Sequence, residues 1–110
     1  MLREIVLIGR SNVGKSTLFW ALTGVKVRVG RRPGITREPF QARVGDLWYV
    51  DMPGYGFMRF ARRAEHERTK DLIVKYLEEH ASLILLAVQV IDAASFLDIA
   101  DRWERRGEVW

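Results

Sequence analysis

Four residues near the start of the chain carry its strongest chemical signal. Gly9, Gly14, Lys15 and Ser16 lie in "GRSNVGKST" and satisfy the spacing G-x-x-x-x-G-K-[ST]. The glycines let the backbone turn tightly, so that successive amides point at one anion. A helix beginning near Lys15 would aim its positive end at the same spot. The Lys15 ammonium would reach the β and γ oxygens of a polyphosphate as a point charge. The Ser16 hydroxyl is a hard oxygen suited to Mg²⁺, and Thr17 adds a hydroxyl toward an α-phosphate. The run Gly9, Arg10, Ser11, Asn12, Val13, Gly14, Lys15, Ser16 and Thr17 is therefore a candidate nucleotide-binding loop.

A second signal is "DMPGYG", which places Asp51 and Gly54 three residues apart. A carboxylate at the carboxyl end of a strand sits where parallel-sheet folds bind ligands. Asp51 would hold Mg²⁺ through water, and the Gly54 amide would face a γ-phosphate. An isolated D-x-x-G is an ordinary turn; it gains meaning beside a phosphate loop. Thr36, in "RPGITRE", is a hydroxyl that would swing onto Mg²⁺ when a γ-phosphate is present and let go afterwards.

These residues need a frame. "EIVLIG" (4–9) is a short apolar run that reads as a buried strand, and "KSTLFWALT" (15–23) places Leu18, Phe19 and Leu22 on one helical face before Gly24. Residues 25–37 have no period and form a loop. Segments 39–44 and 47–51 flank "GD" and predict an antiparallel hairpin. A second loop runs through "PGYGFMRFARR". Residues 65–80 predict a helix with Leu72, Ile73, Tyr76 and Leu77 as its apolar face. The nearly continuous apolar stretch 83–92 has the character of a strand covered on both faces. Ser95, with Asp98 three residues on, predicts a helix cap. Phe96, Ile99, Ala100 and Trp103 form that helix's stripe, and Gly107 ends it. The order predicts an α/β layered fold with a mostly parallel sheet.

The 110 residues suit a single domain. With no cysteine, thiolate metal sites and thiol nucleophiles are excluded. No apolar run reaches the roughly 18 residues of a membrane span, and the N-terminus lacks the shape of a signal peptide. The expectation is a cytoplasmic protein with no membrane partner. Net charge is +4, and six bases (Lys26, Arg28, Arg31, Arg32, Arg37, Arg43) face one acid, Glu38, between 26 and 43. Arg59, Arg62 and Arg63 form a second basic cluster. Such clusters suit a polyanionic partner or a plain solvated face. Trp20, Trp48, Trp103 and Trp110 suit core or cover positions better than base-stacking platforms.

Together "GRSNVGKST", "RPGIT" and "DMPGYG" closely resemble the EngB (YihA/YsxC) family of GTPases, archaeal members above all, and "RWERRGE" extends the resemblance over the whole chain. The resemblance implies a P-loop NTPase fold of the Ras-like and Era-like kind. It implies a Mg²⁺-dependent switch that binds GTP and GDP, hydrolyses GTP slowly and serves assembly of the large ribosomal subunit. It makes Thr36 the first-switch magnesium ligand and Asp51 and Gly54 the second-switch motif, with Lys15, Thr36 and Gly54 as the catalytic set. It gives the basic loops a partner in ribosomal RNA or a pre-ribosomal particle. Where Ras-like enzymes carry a water-orienting glutamine, this chain has Tyr55. Asn12 matches an asparagine that ligates K⁺ in relatives lacking that glutamine; the alternative is a loop asparagine with an unusual backbone angle.

The N/T-K-x-D and S-A-K motifs that read guanine in this class are absent, so the chain reads as the first two-thirds of a GTP-binding domain with the C-terminal strands missing. The expected consequences are poor base selectivity and self-association through the exposed 83–92 strand. Two other readings stand beside the switch. One is a fragment that binds phosphates without turnover; the other is an RNA-binding module with a vestigial nucleotide site.

Overall fold

The computed structural model describes residues 2–10, 13–27, 37–55 and 63–105, with the side chains of 63, 95, 96, 99 and 103 excepted. In chain order the elements are β1 (Arg3–Gly9), α1 (Lys15–Thr23), β2 (Phe40–Val44), β3 (Leu47–Asp51), α2 (Arg63–Glu79), β4 (Ile84–Val90) and α3 (Ala93–Arg105). The strands form one sheet in the order β2-β3-β1-β4. β1 runs parallel to both β3 and β4, and β2 closes the hairpin antiparallel to β3. The mostly parallel α/β fold expected from the element order is the one observed.

Alternation along β1 sorts the core into two layers. Val6 joins Val50, Met52 and Ile73, with Leu72, Tyr76 and Leu77 of α2 packed against them. Leu7 points the other way and joins Phe19 of α1, Val27 and Ala42. Helices thus cover opposite faces, and the sheet is the middle of three layers. Phe19 is fully buried and meets Phe40 edge to ring at 5.8 Å. Burial of one such side chain contributes about 2–3 kcal/mol.

Polar contacts tie α2 to the sheet at the end away from the phosphate loop. Buried Glu4 accepts hydrogen bonds from the Tyr76 hydroxyl and from His80 Nδ1, each at 2.9 Å. Gln41 Nε2 donates to the same Tyr76 oxygen at 3.1 Å, and the Tyr76 and His80 rings stack at 3.9 Å. A buried carboxylate needs such donors to offset its lost hydration.

Three expectations change. Leu22 does not share the apolar face of α1; it is exposed, and Trp20 is 54% exposed with Lys26 Nζ 5.9 Å from its ring. One short helix buries only the side that meets the sheet, and the other side stays in water. The cap of α3 is Asp92, whose Oδ1 accepts from the Ala94 amide at 3.0 Å, so the helix starts ahead of Ser95. Finally, the faces of β4 are not both covered, since Leu85 and Leu86 are more than half exposed. Its place at the sheet edge among the described residues agrees with the exposed 83–92 strand expected from the sequence. Trp48 is half-buried, while the Trp103 side chain and Trp110 lie outside the described residues.

Candidate functional site

The carboxyl ends of β1 and β3 create the site. Gly9 ends β1, and a Cβ there would sit 3.0 Å from Val13 Cγ2 and 3.0 Å from the Val90 carbonyl oxygen. Only glycine lets the loop fold back this closely. Gly14 precedes α1 with φ +93°, a left-handed conformation that disfavours any side chain. The first turn of α1 then presents Ser16 and Thr17, both exposed. Val13 and Arg10 are half-buried. Ser11, Asn12 and Thr36 lie outside the described residues.

The second loop begins alongside the first. The Met52 amide donates to the Leu7 carbonyl at 3.1 Å, and the Tyr55 amide donates to the Gly9 carbonyl at 3.2 Å. Arg10 and Tyr55 extend this parallel pairing by one bridge. Gly54 is therefore held within two residues of a backbone bond to the phosphate loop. The Tyr55 side chain turns to the α2 face, packs against the Val6 cluster and accepts a hydrogen bond from Gln89 Nε2 at 3.0 Å.

Charge is concentrated at Asp51, which is fully buried. Lys15 Nζ donates to Asp51 Oδ1 and to the Met52 carbonyl, both at 2.5 Å. Arg37 Nη2 lies 3.3 Å from Asp51 Oδ2 and donates to the Met52 carbonyl at 2.7 Å. Burial pulls the Lys15 ammonium below its usual range near 10.5, against the opposing effect of the Asp51 hydrogen bond. Thus β1, α1 and β3 bring Gly9, Gly14, Lys15 and Asp51 together across 36 residues of sequence.

The residues fit a nucleotide phosphate and Mg²⁺. The Gly9 approach and the open space around Gly14 leave a backbone cradle rather than a side-chain surface. The nearby oxygens, Ser16 hydroxyl and Asp51 carboxylate, are hard donors. Among the described residues no cluster of three His, Cys, Asp or Glu could hold a metal by itself.

A family model described as "50S ribosome-binding GTPase" matches residues 4–107. The chain belongs to this GTPase family, in its EngB branch. The "Probable GTP-binding protein EngB" of Methanopyrus kandleri is 58% identical over 109 residues, which are 96% of this chain and 53% of that protein. A crystal structure of a probable GTP-binding protein EngB superposes with a TM-score of 0.87 at 47% identity, covering 97% of this chain and 58% of the other. The NFeoB protein of S. thermophilus bound to GDP.AlF4⁻ and K⁺ matches with a TM-score of 0.56 at 27% identity, over 98% of this chain and 48% of that one. The chain spans about half the length of the curated relatives it matches. The P-loop NTPase fold follows from these matches and the sheet order.

Two contributors escaped the motifs. Arg37 stood out only as one base among six, and Gln89 only as a polar break in an apolar strand. Pairing with partners 14 and 34 residues away leaves no local signal. Of the basic loops, Arg28, Arg31, Arg32, Arg59 and Arg62 lie outside the described residues, as does the Arg63 side chain.

Proposed function

We propose that this chain supplies the phosphate-binding and switch portion of a Mg²⁺-dependent GTPase that acts in large-subunit ribosome assembly in the cytoplasm. The observation that carries it is the meeting of Lys15 and Asp51 at the mouth of the Gly9–Gly14 loop, in a chain of the EngB branch. The backbone of residues 9–14 and the Lys15 ammonium bind the phosphates. Ser16, Thr17 and the Gly54 amide complete the contacts. Ser16 and Thr36 ligate Mg²⁺, and Asp51 orients its water. The magnesium ion, when bound, neutralises charge that develops on the γ-phosphate. The roles of Ser11, Asn12 and Thr36 follow from motif position.

By motif position Asn12 is the residue that would hold K⁺, and the K⁺-bound NFeoB structure supports that role by likeness. No helix among the described residues is long and apolar enough to cross a membrane. Basic residues such as Lys26 and Arg43, both exposed, suit ribosomal RNA or a pre-ribosomal particle.

Binding without turnover is the second reading. The residue at position 55 favours it, because a tyrosine stands where a water-orienting glutamine would, with its side chain bonded to Gln89 and packed on the core. Titration with fluorescent GDP and ADP, with and without Mg²⁺, separates the readings from a vestigial site. Magnesium-dependent GDP binding is expected, and no nucleotide binding would refute the proposal. Hydrolysis measured in KCl and in NaCl tests Asn12: equal rates exclude the K⁺ role.

A further inference from the structure

Arg37 belongs to neither the phosphate loop nor the D-x-x-G motif, yet its guanidinium reaches the same carboxylate as Lys15. The two cations divide Asp51 between them. Oδ1 accepts from Lys15 at 2.5 Å, and Oδ2 lies 3.3 Å from Arg37. The same Arg37 nitrogen donates to the Met52 carbonyl at 2.7 Å and lies 3.5 Å from the Asp51 carbonyl. Asp51 is fully buried, so bulk water cannot replace either donor. The contacts join the exit of the first loop to the carboxyl end of β3, 14 residues away in sequence.

We propose that Arg37 is a positioning residue that clamps the first-loop exit onto Asp51 and Met52 and thereby sets the magnesium concentration at which the site fills. The inference rests on the nucleotide and magnesium reading above. A divalent ion approaching Asp51 meets a guanidinium already bound to one oxygen of that carboxylate. Like charges at a few ångströms repel, and the donor must loosen before the carboxylate can serve the ion's water. The planar fork of arginine reaches a carboxylate and a carbonyl together, which a lysine ammonium does less well. In sequence, Arg37 directly follows Thr36, the first-switch magnesium ligand of the reading above. Releasing the clamp and filling the site are therefore coupled.

The test uses the full 110-residue chain with Arg37→Ala and Arg37→Lys. Binding of a fluorescent, non-hydrolysable GTP analogue is titrated with MgCl₂. The half-saturating magnesium concentration is expected to fall roughly three- to tenfold in Arg37→Ala, in line with loss of one partly exposed charged contact, and by less in Arg37→Lys. Amide exchange at Glu38 and Phe40, which flank Pro39, is expected to quicken in Arg37→Ala when measured without nucleotide. A merely structural prop would instead raise the magnesium requirement and weaken binding. An unchanged or raised midpoint in a folded Arg37→Ala protein, or unchanged exchange at Glu38 and Phe40, overturns the clamp. Should Arg37→Ala not fold, Arg37→Lys and Arg37→Gln give the same two measurements. A wild-type chain that binds no nucleotide at any magnesium concentration overturns the nucleotide reading and the magnesium role with it. Exchange at Glu38 and Phe40 still decides whether Arg37 holds the loop.

Discussion

Replacing Gly9 with alanine probes how tightly the phosphate loop is folded onto the sheet. The added Cβ would stand 3.0 Å from Val13 Cγ2, 3.0 Å from the Val90 carbonyl oxygen and 3.5 Å from Lys15 Cδ. Contacts this short are tighter than ordinary van der Waals packing, so two of the three neighbours must give by a few tenths of an ångström. Val13 is a half-buried loop side chain and has room to yield. The Val90 oxygen is backbone, on the residue paired with Gly9 in the β1–β4 ladder, and it moves only if the strand end moves. Overpacking of this kind costs about 1–3 kcal/mol, a large part of the 5–15 kcal/mol by which a typical domain is stable. For a chain of this size the melting temperature should fall by roughly 4–15 °C. Circular dichroism melts of the wild type, Gly9→Ala and Gly9→Ala/Val13→Ala would measure it. The double variant should recover part of the loss and not all of it, since the Val90 contact remains. A fall below about 2 °C in the single variant, or full recovery in the double, would refute the close approach as the reason for glycine.

Three further outcomes follow from the same geometry. Asp51→Ala strands both Lys15 and Arg37 and should cost about 3–5 kcal/mol. Lys15→Met leaves Asp51 with Arg37 and removes a desolvated ammonium, so urea denaturation should show a smaller loss; both should abolish nucleotide binding, and equal stabilities would contradict the shared-carboxylate arrangement. Burial, aided by the Glu4 hydrogen bond, pushes the Tyr76 hydroxyl from 10.0 up to about 12. Between those values the folded protein keeps a proton that the unfolded chain has lost, so this contribution to stability is present below pH 10 and disappears as pH rises toward 12. Tyr76→Phe should flatten the alkaline fall in melting temperature over that window, and an unchanged slope would count against it. Leu86→Lys on the exposed edge strand should lower concentration-dependent light scattering, whereas a wild-type chain already monomeric at all concentrations would refute the self-association expected from the sequence.

Much of the frame is legible because it is local. Lys15–Thr23 and Leu47–Asp51 have the predicted bounds, β1, β2, α2 and β4 differ by at most two residues at either end, and α3 starts three residues ahead of the helix that a Ser95 cap predicts. Alternation and helix spacing depend only on near neighbours, and capping does too, although Asp92 rather than Ser95 caps α3. The exposure of β4 is different. Its apolar residues describe a strand covered on both faces, and its exposed edge was expected only from the absent guanine-reading motifs, because burial depends on which neighbours are present. The chemical types at the site were equally legible: glycines for a cradle, lysine and hydroxyls for phosphates and magnesium, and a carboxylate at a strand end.

"GRSNVGKST" by itself determined the kind of ligand, because backbone amides, a helix terminus and one ammonium need only fixed spacing to form an anion site. Tertiary structure decided how that site is wired. Parallel pairing of β1 with β3 carries Asp51 to Lys15, and the hairpin brings Arg37 to the same carboxylate. It also turned Tyr55 away toward Gln89 on a strand that enters the sheet from the opposite side. Each of these contacts joins residues at least 14 positions apart. The physical reason is that strand order and register, set by burial of the whole sheet, choose the partners of a buried charge, and no short segment contains that choice.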